Sequence, residues 1–388
     1  MEKIDVLRAS VIEAAQCDIT NIRGVLQRPV FFLYSDSVLG AMHAVSIIEK
    51  IEQPVAVVGI GGSTLDQYSL PHWSVEDFLK KSRQYKDAIL LDFSMSHFER
   101  AMAERLAAVS GVELLECPMV LAELDLHSVY ESVRDYRSFT IDRLDDFLAL
   151  GDRLADDWSR ETLYANLLFR LTFNRGPLLQ ACADPSEEYF STFTNSTTFR
   201  LGSREHYVDC GAYQGPIIEK FIAATQGRYS SISAFEPDRT NFDTLRRFES
   251  GVLPGIHLFN KAVSSRKQTL RFHETGTVSS HVSAEGNVVV ETTRLDDELE
   301  KLTFLKMDVE GFEPHTLQGA RGLLASQRPR IASCVYHYAL DPLKVVEKID
   351  HLVGGYHYRL RQHTGGYYYD LVLYASPEMG VEPMRSVV

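Results

Sequence analysis

One predicted strand of this chain ends in an acid and two glycines, a combination that can hold a ligand. In the segment YVDCGAYQG, Asp209 and Gly211 end the strand and Gly215 precedes a helix. Glycine lets the backbone approach a ligand closely, and the N-terminus of the helix faces that ligand. Twenty-one residues after Gly215, the next strand ends at Glu236. An acid there can accept hydrogen bonds from both ribose hydroxyls of an adenosine cofactor.

The glycine spacing differs from the dinucleotide-binding pattern. That pattern is GxGxxG, whereas here an acid precedes the first glycine in the form DxGxxxG. The acid would repel a pyrophosphate, but it suits a cofactor with a cationic or amino-acid end. S-adenosylmethionine carries an amino group and a sulfonium, so it fits this requirement. The alternative is a glycine-rich turn between strand and helix that binds no ligand.

A second group of acids follows a later predicted strand. Asp308 and Glu310 come directly after the run FLKM. Because the ligand crevice of an open α/β sheet lies at the carboxyl ends of its strands, we expect these acids beside Asp209 and Glu236. Carboxylates that meet at one edge are costly unless they bind cations or donors. The alternative is a solvated loop that Lys306 and neighbouring arginines neutralise.

The elements that would position these residues alternate between strands and helices. Short apolar runs predict buried strands, and apolar residues recurring every three or four positions predict helices. Strands that alternate with helices form parallel sheets covered on both faces. We therefore predict an α/β fold. Runs that predict strands occur at 29–34, 54–58, 88–93, 112–117, 206–209, 231–235, 256–260, 303–307 and 330–336.

The pattern divides the chain into three regions. We predict a Rossmann-like N-terminal domain over 1–125, a helical linker over 126–200 and the cofactor-binding domain over 201–388. Two aromatic-rich runs on either side of Gly365-Gly366 predict an antiparallel hairpin at the end of the third region.

The N-terminal region lacks a complete nucleotide fingerprint. The stretch 35–40 (SDSVLG) stands where GxGxxG would be expected, and the glycines of 59–62 follow the second strand instead. We favour a structural or partner-binding role for this region over a nucleotide site.

Composition excludes several classes of protein. The 388 residues include 40 basic and 53 acidic ones, and a formal charge of −13 argues against a general nucleic-acid binder. No uncharged apolar run approaches the ~18 residues of a membrane span, and from the charged N-terminus we expect no secretory signal. The five cysteines form no CxxC pair. We expect a cytoplasmic protein with reduced cysteines and no nucleic-acid or membrane partner; a homo-oligomer is compatible with the sequence.

Six motifs in order resemble the FkbM family of S-adenosylmethionine-dependent methyltransferases. The resemblance covers about residues 195–375, and its motifs are YVDCGAYQG, ISAFEPDRTNFDTL, NKAVSS, TTRLDDEL, LKMDVEGFEPHTLQGA and RPRIASCVYH. It implies the class I methyltransferase fold, a Rossmann-like seven-stranded sheet that ends in an antiparallel hairpin. It also implies O-methylation of a hydroxyl, often on a sugar, polyketide or other natural product, so the expected partner is a small-molecule or glycan acceptor.

The resemblance also implies the residues that bind S-adenosylmethionine. The glycine segment would surround the methionine end, the acid after the next strand would bind the ribose, and the residues after the third strand would lie near the adenine. Asp308 would border both the sulfonium and the acceptor. The predicted cofactor residues are Asp209, Gly211, Ala212, Tyr213, Gly215, Glu236, Pro237, Asn260, Lys261, Ala262 and Asp308.

A sugar hydroxyl is barely acidic, so a positioned base would help the transfer. We predict Asp308, Glu310 and His337 as the catalytic residues, because each follows a strand on the crevice edge. His281, in a segment expected to form a loop over the site, and His363, beside the hairpin turn, are alternatives for the base. Glu310 could instead hold its own loop by accepting backbone hydrogen bonds.

A divalent metal is a further alternative at this edge. Asp308, Glu310 and Glu313 offer the oxygen ligands that Mg²⁺ or Ca²⁺ takes. Acids are also preferred at an exposed helix start because of the macrodipole. We favour the helix-start interpretation and predict no metal.

Two other functions compete with methyl transfer. One is an NAD-dependent oxidoreductase. The DxGxxxG spacing and the missing GxGxxG argue against it. The other is a non-catalytic module that keeps the methyltransferase fold as a scaffold for a partner. The intact acids and glycines argue against this second function.

Overall fold

The chain forms two compact units. Unit 1 comprises Met1–Asp145, Glu161–Cys182 and Thr364–Tyr369, and the remaining residues form unit 2. The predicted boundaries at residues 125 and 200 remain predictions. The computed structural model describes residues 2–18, 22, 24, 27–33, 38–59, 68–94, 97–127, 130–191, 199–250, 255–275, 281–282, 285–364 and 368–378.

Unit 1 contains a five-stranded sheet in which neighbouring strands are parallel. Four of its strands are the apolar runs expected from the sequence, and the added strand, of two residues, was not predicted. The order across the sheet is β3-β2-β1-β4-β5. The strands are β1 (Val30–Leu33), β2 (Pro54–Val58), β3 (His72–Trp73), β4 (Ile89–Asp92) and β5 (Glu113–Glu116).

Helices follow most of these strands, and four more lie between Val133 and Ala181. Ser74 caps α3, where its hydroxyl accepts a hydrogen bond from the Asp77 amide at 3.0 Å. The helices are α1 (Glu2–Ala15), α2 (Val38–Ile48), α3 (Val75–Lys81), α4 (His97–Ser110), α5 (Cys117–Glu123), α6 (Val133–Asp142), α7 (Leu144–Arg153), α8 (Asp157–Thr172) and α9 (Gly176–Ala181), with 3₁₀ turns at Ser82–Gln84 and Pro185–Glu187.

Buried charges close the carboxyl ends of β4 and β5. Arg175 is fully buried and donates to Asp92 Oδ2 at 2.7 Å and to Glu116 Oε2 at 2.8 Å. Arg100 Nη1 also lies 2.7 Å from Asp92 Oδ2. These charges therefore satisfy one another at this edge of the sheet, and the structural or partner-binding role favoured for the region stays a prediction. Residues 35–37 and 60–62, on which the incomplete fingerprint was judged, lie outside the described residues.

Unit 2 contains a seven-stranded sheet of order β10-β9-β8-β15-β16-β18-β17. The first five strands in this order are parallel, and β18 runs antiparallel to both β16 and β17. The prediction of an α/β fold with parallel sheets is therefore confirmed. The turn at Gly365-Gly366 lies outside the described residues. The strands are β6 (Phe190–Ser191), β7 (Phe199–Arg200), β8 (His206–Cys210), β9 (Ser231–Phe235), β10 (Ile256–Phe259), β11 (Ala262–Val263), β12 (Gln268–His273), β13 (His281–Val282), β14 (Val288–Thr293), β15 (Phe304–Met307), β16 (Arg330–Cys334), β17 (His357–Gln362) and β18 (Leu371–Ser376).

A second sheet of unit 2 was not predicted. It has the order β11-β14-β12-β13, and its strands come from the segment between β10 and β15. The expected loop around His281 is therefore wrong for the described residues, since His281 pairs with His273 across β13 and β12. A further small pair joins β6 and β7.

The helices of unit 2 alternate with the strands of the larger sheet. In the core, the Tyr207 and Phe221 rings stack with centroids 4.2 Å apart. The helices are α10 (Pro216–Thr225), α11 (Arg239–Leu245), α12 (Leu295–Glu298), α13 (Glu313–Gly319), α14 (Arg321–Gln327) and α15 (Asp341–Leu352), with a 3₁₀ turn at Arg246–Ser250. None of the helices in the described parts of the chain combines the length and apolar character needed to cross a membrane.

Candidate functional site

The loops after β8 and β15 touch through their backbones. Gly211 has a positive φ of 77°, and its amide donates to the Phe235 carbonyl at 3.0 Å. A Cβ at this position would lie 1.8 Å from the carbonyl oxygen of Asp308. Glycine is required here by both the left-handed backbone and the close approach. The loops after three neighbouring strands are thereby fixed around one point.

A cavity that is partly open to solvent lies at these strand ends. Seven of the eleven predicted cofactor residues line it: Gly211, Tyr213, Glu236, Pro237, Lys261, Ala262 and Asp308. The other four, all within the described chain, lie outside this lining: Asp209, Ala212, Gly215 and Asn260.

Glu236 presents a buried carboxyl to the cavity. Only 5% of the residue is exposed. Its two oxygens accept hydrogen bonds from the amides of Tyr213 and Asp238, each at 2.8 Å. Burial raises the pKa of this carboxyl to about 7, although the two amide bonds act in the opposite direction. The two amide bonds therefore fix the orientation of the carboxyl, and its pKa lies close to neutral pH.

Asp209 lies in the interior of the sheet and contacts Lys306. The residue is fully buried, and Lys306 Nζ lies 3.1 Å from its Oδ1 atom. The same ammonium donates to the Gly211 carbonyl at 2.7 Å. Burial raises the pKa of Asp209, partly offset by Lys306, whose own pKa is raised by Asp209 despite burial. The pair acts on the cavity through the backbone of Gly211.

Gly215 and Asn260 support the cavity wall. Gly215 has a φ of 92° and caps α10, and a Cβ there would lie 2.4 Å from Phe248 Cε2. The Asn260 side-chain amide donates to the carbonyls of Glu236 and Pro237 at 2.9 and 3.1 Å. Both residues therefore position the chain around the cavity.

Apolar residues form another part of the wall. Phe235 borders the cavity and stacks on Phe259, with centroids 4.5 Å apart. Val263 of β11 and Phe272 of β12 also line it. The unpredicted second sheet thus contributes apolar residues to the cavity wall. His281 of β13 lines the cavity as well.

Asp308 meets three donors beside the cavity. Its Oδ1 atom lies 3.4 Å from both His337 Nε2 and the Tyr336 hydroxyl, and its Oδ2 atom lies 3.5 Å from the Tyr189 hydroxyl. Burial would raise the pKa of this carboxyl, but the hydrogen bond from His337 and the charge of Lys306 hold it well below its usual range. Asp308 is therefore a fixed negative charge.

His337 is completely buried among carboxylates. Its Nε2 atom lies 3.3 Å from Glu310 Oε2 as well as near Asp308, and its Nδ1 atom lies 3.4 Å from Glu313 Oε1. Burial would lower the pKa of the imidazole, yet the charges of Glu310 and Glu313 raise it well above 6.5. Glu310 lines the cavity. The structure thus brings together the three predicted catalytic residues.

The same cluster bears on metal binding. Asp308, Glu313 and His337 have potential ligand atoms within 4.8 Å of one another. However, Asp308 and Glu313 approach opposite nitrogens of the imidazole, and one metal ion can bind through just one of these. We therefore assign no metal ligands here.

His363, an alternative for the base, belongs to a structural network. Its Nε2 atom lies 2.7 Å from the Tyr374 hydroxyl, and its Nδ1 atom lies 3.2 Å from the Asp184 carbonyl. The Tyr374 hydroxyl also accepts from the Tyr189 amide at 2.9 Å. Burial lowers the pKa of His363 to about 3, so the ring is neutral.

Several lining residues escaped the sequence analysis. Apolar strand residues have no sequence signal distinct from ordinary core, and Asn241 lies in α11, whose sequence carries no sign of the cavity. Asn241 Oδ1 accepts from Gln214 at 3.2 Å, which joins the helix to the glycine segment. The residues missed are Phe235, Asn241, Val263, Phe272, Val282, Val309 and Phe312.

Comparisons with known proteins place this site in context. Residues 209–360 match the family described as the methyltransferase FkbM domain. The whole chain resembles the crystal structure of methyltransferase FkbM from Methylobacillus flagellatus KT, with a TM-score of 0.73 and 23% identity over 96% of this chain and 98% of that one. At that identity the likeness shows the fold alone.

Another solved structure gives a weaker likeness. An rRNA methylase from Streptococcus thermophilus has a TM-score of 0.31 and 15% identity, over 46% of this chain and 90% of its own. A value this low supports no conclusion. No curated protein matches the chain.

Proposed function

We propose that this chain, whose residues 209–360 match the methyltransferase FkbM domain, is an S-adenosylmethionine-dependent O-methyltransferase of that family. The acceptor would be a hydroxyl of a sugar, glycan or natural-product small molecule. On this proposal, the seven-stranded sheet of unit 2 is a class I methyltransferase sheet. One observation carries the proposal: Gly211 and Glu236 follow adjacent parallel strands and border the same cavity.

The residues present fit S-adenosylmethionine. A side chain at position 211 would collide with the Asp308 backbone, so the glycine lets these two loops meet at the wall that would face the methionine end. The buried carboxyl of Glu236 suits the ribose hydroxyls, which are donors. Phe235 and Phe272 offer apolar surface for the adenine, and Lys261 and Ala262 line the same wall. These residues would hold the cofactor.

Charge supports the same assignment. Bound S-adenosylmethionine would supply a methyl group on a cationic sulfur. Asp308 borders the cavity as an ionised carboxylate, because Lys306 and His337 keep its pKa low. A fixed negative charge near a cationic ligand costs no reorganisation when the ligand binds. We infer that Asp308 faces the positive end of the cofactor and the acceptor.

Glu310 is our choice for the proton acceptor. It lines the cavity beside Asp308, and its φ of 57° is a left-handed conformation that a glutamate rarely adopts. Strained backbone of this kind clusters at functional sites. A carboxylate held there can take the proton of an acceptor hydroxyl as that oxygen is methylated.

Transfer from methyl-labelled S-adenosylmethionine to a panel of hydroxylated sugars and small molecules tests this proposal. We expect label on an oxygen of at least one acceptor, with a large loss of rate in the Glu310→Gln variant. Label on nitrogen or carbon would contradict the assignment to oxygen. Unchanged transfer by Glu310→Gln would contradict the role of Glu310 as base.

A further inference from the structure

His337 lies among four acids, which we call the carboxylate cage: Asp308, Glu310, Glu313 and Asp341. Glu313 and Asp341 are buried, whereas Asp308 and Glu310 are half-buried at the cavity edge. Both ring nitrogens are used, because Nε2 lies 3.4 Å from Asp308 and 3.3 Å from Glu310, while Nδ1 lies 3.4 Å from Glu313. The ring itself is fully buried. A base that takes a proton from an acceptor needs access to it, and this ring has none.

The loop between β15 and α13 wraps around this ring. Glu313 is fully buried, and its Oε1 atom accepts from the amides of Val309 and Gly311 at 3.1 and 3.4 Å. Gly311 has a φ of 88°, and a Cβ there would lie 2.2 Å from Tyr338 Cε2. The loop is therefore held in one conformation from inside, and Glu310 is the residue it turns toward the cavity.

The charges around the ring determine the protonation state of the His337 imidazole. Asp308 and Glu310 face it from the β15–α13 loop, Glu313 from the start of α13 and Asp341 from α15, and Tyr336 is a neutral neighbour. Two lysines act on the outer acids: Lys306 on Asp308 and Lys344 on Asp341. Burial and the charge of Glu313 raise the pKa of Asp341 to about 7. Acids packed this closely around one ring repel one another unless a cation lies among them.

We propose that His337 is a positioning residue that, as an imidazolium, holds Glu310 and Asp308 at the cavity edge. Its contact to Glu313 fixes the ring from the side opposite to those two acids. The role of Glu310 as base rests on the function proposed above, whereas the charge and contacts of His337 do not. His337 is thus removed from proton transfer, and the cation of the cage is the ring rather than a metal ion.

Nuclear magnetic resonance of the full chain labelled with ¹⁵N-histidine tests the charge directly. The His337 signals are assigned by their loss in His337→Gln. We expect both ring nitrogens to carry a proton at pH 7.5, without change when EDTA is added. A neutral ring at pH 7.5, or nitrogens that shift on EDTA treatment together with a stoichiometric divalent ion, would overturn the proposal.

A double-mutant cycle tests positioning apart from space filling. We expect His337→Gln to lower the melting temperature and to weaken S-adenosylhomocysteine binding at least tenfold, because the acids then repel one another. Adding Glu310→Gln should recover most of both losses, since one repelling charge is gone. Recovery of neither would overturn the electrostatic role. His351→Gln, on the exposed end of α15, is the matched control and should change nothing.

The proposed function and the proposed role of His337 can be disproved independently of each other. If wild-type protein binds no S-adenosylhomocysteine, the proposed function is wrong, but the resonance spectra and the melting temperatures still decide the state of His337. If the ligand binds and the ring is neutral, the function stands and the positioning role is wrong.

Discussion

Gly211 and Asp308 meet through their backbones, because the Asp308 carbonyl lies 1.8 Å from the position that a Cβ of residue 211 would occupy. This contact links the ends of the neighbouring strands β8 and β15. It also sets where the Asp308 side chain enters the cavity. The geometry of the site thus depends on the absence of one methyl group.

The Gly211→Ala variant should lose stability well beyond ordinary backbone strain. A left-handed φ at a non-glycine residue costs about 1–3 kcal/mol, and here the collision with Asp308 is added. The control is Gly227→Ala, whose φ is 69° but whose Cβ would meet nothing within 4 Å. Urea unfolding measures both. Equal losses of stability in the two variants would show that the contact between Gly211 and Asp308 does not contribute to stability.

Ligand binding should depend on pH through Glu236. The pKa of this buried carboxyl is about 7 in the free protein, and hydroxyl donors favour its ionised form. Affinity for S-adenosylhomocysteine should therefore rise by up to about tenfold per pH unit below 7 and level off above it. Calorimetry between pH 6 and 8.5 checks this. Glu236→Gln should remove the dependence, whereas the exposed Glu291→Gln should retain it.

Glu236 should also make folding stability depend on pH, in the direction opposite to that of ligand affinity. The folded protein keeps a proton on Glu236 between pH 4.5, the ordinary value, and about 7, where the unfolded chain has lost it. Stability from this residue therefore falls as the pH rises through that window. Urea unfolding of wild type and Glu236→Gln across the window measures it. A contribution of Glu236 that grows with pH would contradict the burial of its carboxyl.

Removal of Lys306 should leave Asp209 as an uncompensated buried charge. We expect Lys306→Met to destabilise unit 2 by about 3–5 kcal/mol. The double variant with Asp209→Asn should recover part of this loss, because the buried charge is then gone. Denaturant unfolding of the four proteins provides the measurement. A double variant that is as unstable as Lys306→Met would show that the packing of the lysine, rather than its charge, matters.

The residues after the parallel strands were predictable from the sequence. Apolar runs located β8, β9 and β15, and the rule that ligands bind at strand ends brought Glu236 and Asp308 to one edge. The close approach of Gly211 was also indicated, because glycine at a strand end is the usual sign of it.

The second sheet was not predictable in the same way. β11 and β13 have two residues each, which is too short for an alternating pattern to register. Phe272 therefore resembled any other strand residue, although it lines the cavity. The surroundings of His337 were likewise hidden, since they depend on the loop that turns Glu310 and Glu313 toward the ring.

The most direct test of the central claim is a calorimetric titration of wild-type protein and Glu236→Ala with S-adenosylhomocysteine, run beside NAD⁺. We predict micromolar binding of S-adenosylhomocysteine to wild type, no binding of NAD⁺, and a strong loss of affinity in Glu236→Ala. Binding of NAD⁺ alone, or the same affinity for S-adenosylhomocysteine in both proteins, would contradict the account.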